Sequence, residues 1–197
     1  MTLLLASASK ARADMLRAAG VAVCIRPAWI DEAAVKSAMR AEAAAPRDLA
    51  DTLAELKAAR ISGSAPGHLV LGADQILVQA GTIFDKPRDA LEARKHLKAL
   101  RGKSHHLISA AVIVIDGVPI WRHIGQAELT MRPFSDAFLD TYLESLGETA
   151  LQTVGGYHLE GLGAQLFSRV QGDYFTILGL PLLQVLDFLR VRGVIGE

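Results

Sequence analysis

Asp74 is the residue of this sequence most suited to chemistry, because its carboxylate lies in the middle of an apolar stretch. Val70 and Leu71 precede it and Ile76 and Leu77 follow it, which predicts a buried strand. Burying a carboxylate costs free energy unless a cation or hydrogen bonds compensate for its lost hydration. Asp74 is therefore a candidate metal ligand or general base rather than a surface residue.

A second set of candidates lies near the N-terminus, where two serines and an arginine follow an apolar run. Ser7 and Ser9 can cap a helix whose first turn carries Arg12. The N–H groups at a helix N-terminus attract anions, and an arginine can donate paired hydrogen bonds to a phosphate. The pattern fits a phosphate site, and it equally fits an ordinary capping serine followed by a solvated arginine.

Three other segments carry charged side chains that could meet a ligand. Asp31 and Glu32 are adjacent acids that suit Mg²⁺ or Mn²⁺, or that form a solvated acidic turn. Lys86, held extended before Pro87, is either a point charge for a phosphate or an ordinary loop lysine. Glu160 lies in a glycine-rich segment, where it either accepts hydrogen bonds from a nucleobase or belongs to a structural turn.

The elements that must position these residues alternate between strands and helices. We predict strands at 2–6, 21–25, 68–79, 82–84, 107–115, 118–124 and 164–170, and helices at 9–19, 46–61, 88–101, 135–146 and 181–192. Residues 31–32 fall in a connecting segment, and Asp116-Gly117 is a strong hairpin signal. Interleaved strands and helices with a hairpin predict an α/β protein with a mixed sheet.

The composition indicates a protein without a broad electrostatic field. Of its 197 residues 51% are hydrophobic, and 21 basic residues balance 21 acidic ones. We therefore expect a single domain over residues 1–197 that binds no nucleic acid and no membrane surface. The N-terminus lacks a signal-peptide pattern and no apolar stretch is long enough to span a membrane, so we expect a cytoplasmic protein.

Four further residues are better explained by structure than by chemistry. Cys24, the single cysteine, excludes an intramolecular disulfide, and its apolar neighbours predict burial. Lys57 lies one residue past the apolar stripe of its helix, so we expect it at the surface unless the helix borders a cleft. His105 and His106 are adjacent on a strand and face opposite sides, so they cannot share a metal ion.

In chain order, these motifs resemble the Maf family of nucleotide pyrophosphatases. The resemblance rests on segments spread over nearly the whole chain, which are 5–9 with Arg12, 31–32, 53–58, 72–75, 86–87, 102–105, 156–163 and 179–182. It implies an elongated mixed sheet in two lobes with a central cleft, like the fold of inosine triphosphate pyrophosphatases. It also implies metal-dependent hydrolysis of nucleoside triphosphates between the α and β phosphates, by proteins that are usually cytoplasmic and often dimeric.

The resemblance also assigns roles to individual residues. The catalytic residues it implies are Asp74, Lys57 and Lys86, with Asp74 orienting or deprotonating the attacking water. Glu32 and Asp74 would hold the divalent metal, Mg²⁺ or Mn²⁺. The residues that would contact the substrate are Ser7, Ser9, Arg12, Gln75 and Glu160. Cations around the polyphosphate would offset the charge that builds on the leaving pyrophosphate.

Two residues bear on the preferred base. Gln75 and Glu160 resemble the branch that acts on 7-methyl-GTP, and a carboxylate can accept hydrogen bonds from the N1–H and amine of guanine. Lys10 and Ala11 stand where that branch tends to have proline and tryptophan. The alternatives are a pyrophosphatase of the dTTP/UTP type, a septum-formation inhibitor that binds a partner, and a sensor that binds nucleotides without cleaving them.

Overall fold

Strands and helices alternate along residues 2–196, which are the residues that the computed structural model describes. The strands are β1 (Leu3–Leu5), β2 (Val23–Ile25), β3 (Val70–Gln79), β4 (Thr82–Phe84), β5 (Ser104–Ile115), β6 (Val118–Met131) and β7 (Phe167–Gln171). The α-helices are α1 (Lys10–Ala18), α2 (Glu32–Ala41), α3 (Pro46–Ser62), α4 (Ala90–Leu100), α5 (Asp136–Leu146), α6 (Tyr174–Ile177) and α7 (Leu182–Val191). Short 3₁₀ helices cover Gly147–Gln152, Val154–Gly156 and Gly161–Leu166.

The strands form a mixed sheet in the order β2-β1-β3-β5-β6-β7, with β4 paired to β3. Strand β1 is parallel to both neighbours, and Leu5 lies opposite Ile25 on one side and Leu71 on the other. The pairs β3–β4 and β6–β7 are antiparallel. The predicted α/β class with a mixed sheet is confirmed.

The described residues form two compact units. The first comprises 2–75, 108–125 and 173–196, and the second comprises 76–107 and 126–172. The single domain expected over 1–197 and the central cleft stay predictions. Within residues 2–196, no helix has the length and apolar character that a membrane span requires.

The core of the first unit packs helices α1 and α7 against strands β1, β3 and β5. Strand β1 is buried along its whole length, as expected of a parallel strand covered on both faces. Burying one leucine side chain contributes about 1.5–3 kcal/mol to the free energy of unfolding. The buried side chains of this cluster therefore hold its strands and helices together. Its members include Leu3, Leu5, Leu16, Leu71, Ile113, Val185 and Leu189.

A buried histidine and two tyrosines lie in the second unit. His105 Nε2 is 2.7 Å from the Tyr157 hydroxyl, and Tyr142 accepts the N–H of His158 at 3.1 Å. Burial lowers the pKa of His105 to about 4 and raises the pKa of Tyr142 to about 12. These contacts confirm that His105 has a structural environment.

Some local predictions were wrong. Residues 31–32 are not a connecting segment, because Asp31 caps α2 through Oδ1, which accepts the N–H of Ala34 at 2.9 Å. Cys24 is exposed rather than buried, since β2 is an edge strand. Strand β6 continues to Met131, and β7 begins at Phe167 because a 3₁₀ helix occupies the preceding residues.

Candidate active site

Asp74 meets helix α3 because a glycine lies two residues before it on the same face of β3. A Cβ atom on Gly72 would be 2.0 Å from the carbonyl oxygen of Ala54 and 2.9 Å from the Cβ of Ala58. Only glycine therefore lets the helix backbone come this close to the strand. Lys57 immediately precedes Ala58, so this approach carries its side chain to Asp74.

Lys57 joins the two carboxylates that the sequence assigns to the metal. Its Nζ lies 2.6 Å from Asp74 Oδ1 and 2.7 Å from Glu32 Oε1. The side chains of Lys57 and Asp74 are only 10% and 9% exposed, whereas that of Glu32 is 42% exposed. The expectation of a surface Lys57 was wrong, because its ammonium compensates for the burial of Asp74.

Arg12 is buried, so the alternative of a solvated arginine was wrong. Its Nε donates to the Gly179 carbonyl at 2.7 Å, and one terminal nitrogen donates to the Ala73 carbonyl at 2.9 Å and to Ser7 Oγ at 3.1 Å. Burial lowers the pKa of the Arg12 guanidinium below its ordinary value, while the charges of Asp74 and Glu32 oppose the shift. Arg12 thus contacts the residue that precedes Asp74.

The two serines organise the loop between β1 and α1. Ser9 caps the helix, with Oγ accepting the N–H of Arg12 at 3.4 Å, which confirms the capping prediction. Ser7 Oγ accepts the N–H of Ser9 at 3.2 Å in addition to the bond from Arg12. Contact of either serine with a phosphate stays a prediction.

The amide of Gln75 is directed at protein acceptors. Its Nε2 lies 3.1 Å from Ser109 Oγ, 3.1 Å from the Thr176 carbonyl and 2.9 Å from the Ile177 carbonyl. Ser109 in turn donates to the Thr176 carbonyl at 2.8 Å. Gln75 therefore ties β3 to helix α6, and its predicted contact with the substrate remains untested.

Lys86 and Glu160 belong to the second unit, and both are exposed. The glycine-rich segment around Glu160 has a structural explanation in part, because Gly155 and Gly156 have φ angles of 77° and 75°. Such angles favour glycine whatever ligand is bound. The predicted roles of Lys86 and Glu160 toward a substrate stay predictions.

The carboxylates of Glu32 and Asp74 fit a divalent metal. Both lie within 2.7 Å of the Lys57 ammonium, so they already share a cation. Mg²⁺ is usually bound by one or two carboxylates, with waters and substrate phosphates completing its shell. Among residues 2–196 no three side chains of His, Cys, Asp or Glu converge on one point. Waters and phosphate oxygens would therefore supply the remaining ligands.

The sequence assigned no role to three contributors to this site, although two of them lie in the segments 72–75 and 179–182 that carry the resemblance. Gly72 allows α3 to approach β3 closely. The Gly179 carbonyl accepts a hydrogen bond from Arg12, and Ser109 Oγ accepts one from Gln75. An isolated glycine inside a strand often marks close approach of another backbone, so Gly72 carried a usable signal. The other two are identified only by long-range contacts.

Comparison with known proteins extends over almost the whole chain. A nucleoside triphosphate pyrophosphatase of Paramagnetospirillum magneticum is 55% identical over 190 residues, which cover 96% of this chain and 98% of that protein. Nucleoside triphosphate pyrophosphatase 1 of Jannaschia sp. is 52% identical over 194 residues, covering 98% of both chains. The nucleoside triphosphate pyrophosphatase of Caulobacter vibrioides is 52% identical over 191 residues, covering 97% of this chain and 96% of that protein.

A solved structure of a nucleoside-triphosphatase / dITP/XTP pyrophosphatase from Mycobacterium abscessus is a more distant match. It is 14% identical, covers 98% of this chain and 96% of its own, and has a TM-score of 0.40. The Maf-like protein family matches residues 2–192. With this match and three relatives about half identical over nearly their full lengths, the chain belongs to the Maf-like protein family.

Proposed function

We propose that this protein hydrolyses nucleoside triphosphates between the α and β phosphates, giving a nucleoside monophosphate and pyrophosphate with the help of a divalent metal. One observation carries the proposal: Lys57 Nζ joins Asp74 and Glu32 at 2.6 and 2.7 Å. Arg12 connects this pair to the serine loop before α1, since it donates to Ser7 Oγ and to the carbonyl of Ala73. Relatives about half identical to this chain bear the name nucleoside triphosphate pyrophosphatase, which supports the same reaction.

Asp74 is the general base in this proposal. It lies at the centre of β3 with one carboxylate oxygen held by Lys57, so its position is fixed before a substrate arrives. It orients a water molecule and accepts its proton as the water oxygen bonds to phosphorus and pyrophosphate leaves. Positioned acid–base groups of this kind contribute about 10²–10⁴-fold to a rate.

Glu32 and Asp74 would hold Mg²⁺ or Mn²⁺, which supplies Lewis-acid stabilisation of phosphate oxygens when it is bound. Ser7 and Lys86 are the proposed contacts to the polyphosphate, because a hydroxyl and an ammonium both donate hydrogen bonds to phosphate oxygens. Lys57 holds the Asp74 carboxylate in place through the contact at 2.6 Å. In this division of roles, Glu32 and Asp74 serve the metal and the water, Lys57 holds Asp74, and Ser7 and Lys86 bind the phosphates.

We propose a modified nucleotide such as 7-methyl-GTP as the preferred substrate, with dTTP or UTP as the runner-up. Glu160 is exposed and can accept hydrogen bonds from a guanine edge. A Glu160→Gln variant should lower kcat/KM for 7-methyl-GTP by about 10-fold or more, since a single well-formed contact is worth about 1–3 kcal/mol. An unchanged ratio of kcat/KM values between 7-methyl-GTP and UTP would argue against this role for Glu160.

The reaction is tested by pyrophosphate release from canonical, 7-methylated and 5-substituted nucleoside triphosphates, with Mg²⁺, with Mn²⁺ and with a chelator. We expect turnover only with metal, and loss of about 100-fold or more in Asp74→Asn. Asp187→Asn is the control, because Asp187 is an exposed carboxylate on α7 and its loss should leave the rate unchanged. The proposal fails if the native protein with either metal cleaves none of these nucleotides.

A further inference from the structure

We propose that Tyr142 and Tyr157 are positioning residues whose buried hydroxyl groups hold the segment 157–163 in shape and thereby fix Glu160 for its contact with the base. This inference deepens the proposed function and rests on it. All of these residues belong to the second compact unit. The observation behind the proposal is a contrast in burial: Glu160 is exposed, whereas both tyrosines and the partner of Tyr157, His105, are buried.

Tyr157 anchors the beginning of this segment to strand β5. Its hydroxyl oxygen lies 2.7 Å from Nε2 of His105, and its ring meets the rings of His105 and Phe167 edge-on, with centroids 5.6 and 5.1 Å apart. Tyr157 is 4% exposed and His105 is 0% exposed. A buried tyrosine needs a hydrogen-bond partner for its hydroxyl group, so the contact with His105 ties the segment to the sheet.

Tyr142, on helix α5, holds the next residue of the segment. Its hydroxyl oxygen accepts the N–H of His158 at 3.1 Å. The backbone returns to the same place at Gly163, where a Cβ would lie 1.5 Å from the His158 carbonyl oxygen and 3.0 Å from Tyr142 Oη. The chain between residues 158 and 163 therefore forms a closed loop whose two ends pack together beside the Tyr142 hydroxyl.

Glu160 lies within this closed loop, two residues after His158 and three before Gly163. Burial raises the pKa of Tyr142 to about 12, and the negative charge of Glu160 acts in the same direction, so the carboxylate is near this hydroxyl group. A group that selects a ligand must be held within about 0.5 Å of its productive geometry. Anchoring the loop to two buried hydroxyl groups supplies this rigidity to an exposed side chain.

The test compares Tyr142→Phe, Tyr157→Phe and Glu160→Gln with the native protein. Each phenylalanine variant keeps the ring and removes one oxygen atom. We expect both to lower kcat/KM for 7-methyl-GTP about 5-fold or more relative to UTP, mainly by raising KM, because a loosened Glu160 weakens binding of the base. Tyr174→Phe is the matched control, because Tyr174 is an exposed tyrosine, and its preference between the two nucleotides should be native.

Combining Tyr142→Phe with Glu160→Gln determines whether the tyrosine acts through Glu160. If it does, the double variant should have the same preference between 7-methyl-GTP and UTP as Glu160→Gln alone, because the contact is already lost. A merely structural role would instead lower the stability of the protein and leave the ratio of the two kcat/KM values unchanged.

Amide hydrogen exchange of residues 157–163 gives a readout that needs no substrate. It should accelerate about 10-fold or more in both phenylalanine variants and remain native in Tyr174→Phe and Glu160→Gln. If the native protein releases no pyrophosphate, the proposed function fails. The exchange rates and calorimetric binding of 7-methyl-GTP and UTP then decide the positioning role separately. If Tyr157→Phe does not fold, Tyr142→Phe is assessed by the same measurements.

The proposal is overturned if hydrogen exchange of 157–163 stays native in both phenylalanine variants. It is also overturned if their preference between 7-methyl-GTP and UTP stays within about 2-fold of the native value while Glu160→Gln changes it. If Glu160→Gln itself leaves the preference unchanged, Glu160 does not select the base and the positioning role fails with it. Pyrophosphate release by the native protein would still support the proposed reaction in that case.

Discussion

Lys57 Nζ lies 2.6 Å from Asp74 Oδ1. The side chain of Lys57 is only 10% exposed and that of Asp74 only 9%. This buried pair forms because Gly72 has no side chain to keep α3 away from β3. The strand and the helix approach until the backbone of Ala54 fills the space that a Cβ would need. Gly72 therefore determines the geometry of the candidate active site without contributing a polar atom. The ion pair, in turn, makes this close packing compatible with a buried carboxylate.

The first prediction concerns Gly72→Ala. The added methyl group would sit 2.0 Å from the Ala54 carbonyl oxygen, so α3 must move away from β3 and take Lys57 with it. Overpacking of this kind costs about 1–3 kcal/mol and occasionally more. We expect a loss of free energy of unfolding of this size in urea denaturation, together with pyrophosphate release reduced by about 10-fold or more.

Gly63→Ala is the control for that substitution. Gly63 ends the same helix, and the nearest heavy atoms to a Cβ there are 3.8 and 3.9 Å away. We expect its stability within about 0.5 kcal/mol of the native protein. Equal stabilities of the two alanine variants would contradict the close approach of α3 to β3.

The sequence predicted most elements of the fold because their signals are local. Apolar runs marked the strands, Ser9 and Ser135 marked helix starts, and Asp116-Gly117 marked the hairpin. Helix α2 was missed although Val35 and Met39 recur at helical spacing, because its apolar stripe is short and none of its residues is fully buried.

The candidate site was predictable in its residue types but not in its contacts. Asp74 stood out because a carboxylate interrupts an apolar strand, whereas Lys57 resembled a surface lysine. Their pairing spans 17 residues, and the bond from Arg12 to Gly179 spans 167. Such contacts depend on the packing of distant elements, and periodicity within one element carries no information about them.

The second prediction concerns His105 and acid stability. Burial lowers the pKa of His105 from 6.5 to about 4, so the folded protein keeps this ring neutral while the unfolded chain takes up a proton below pH 6.5. The contribution of this pKa difference to the free energy of unfolding is fully present above pH 6.5 and is lost as pH falls toward 4. It amounts to about 3 kcal/mol at most. Chemical denaturation as a function of pH measures it.

The His105→Gln variant should be less stable than the native protein at pH 7. Its free energy of unfolding should nevertheless fall less steeply between pH 6.5 and 4, because the substitution removes the titrating group. His68→Gln is the control, since His68 is an exposed histidine. The free energy of unfolding of this control variant should fall between pH 6.5 and 4 as it does in the native protein. Identical slopes between pH 6.5 and 4 in His105→Gln and the native protein would show that His105 does not titrate in this window.

The third prediction concerns the charge of Lys57. A Lys57→Met variant leaves Asp74 buried without its cation, and removing one partner of a buried pair costs about 3–5 kcal/mol. Adding Asp74→Asn to that variant removes the uncompensated charge, so the double variant should be more stable than Lys57→Met alone. Urea denaturation of the native protein, both single variants and the double variant gives the coupling energy.

The exposed pair of Lys10 and Asp14 supplies the control for that cycle. These residues form a salt bridge on α1 with side chains 89% and 47% exposed, so water and salt screen their charges. We expect Lys10→Met to cost less than about 1 kcal/mol and to show little coupling with Asp14→Asn. Because both pairs join a lysine to an aspartate, a difference between their cycles isolates the effect of burial. If Lys57→Met is no more destabilising than Lys10→Met, the ion pair is not what makes a buried Asp74 tolerable, and Asp74 must then be compensated by other groups around β3.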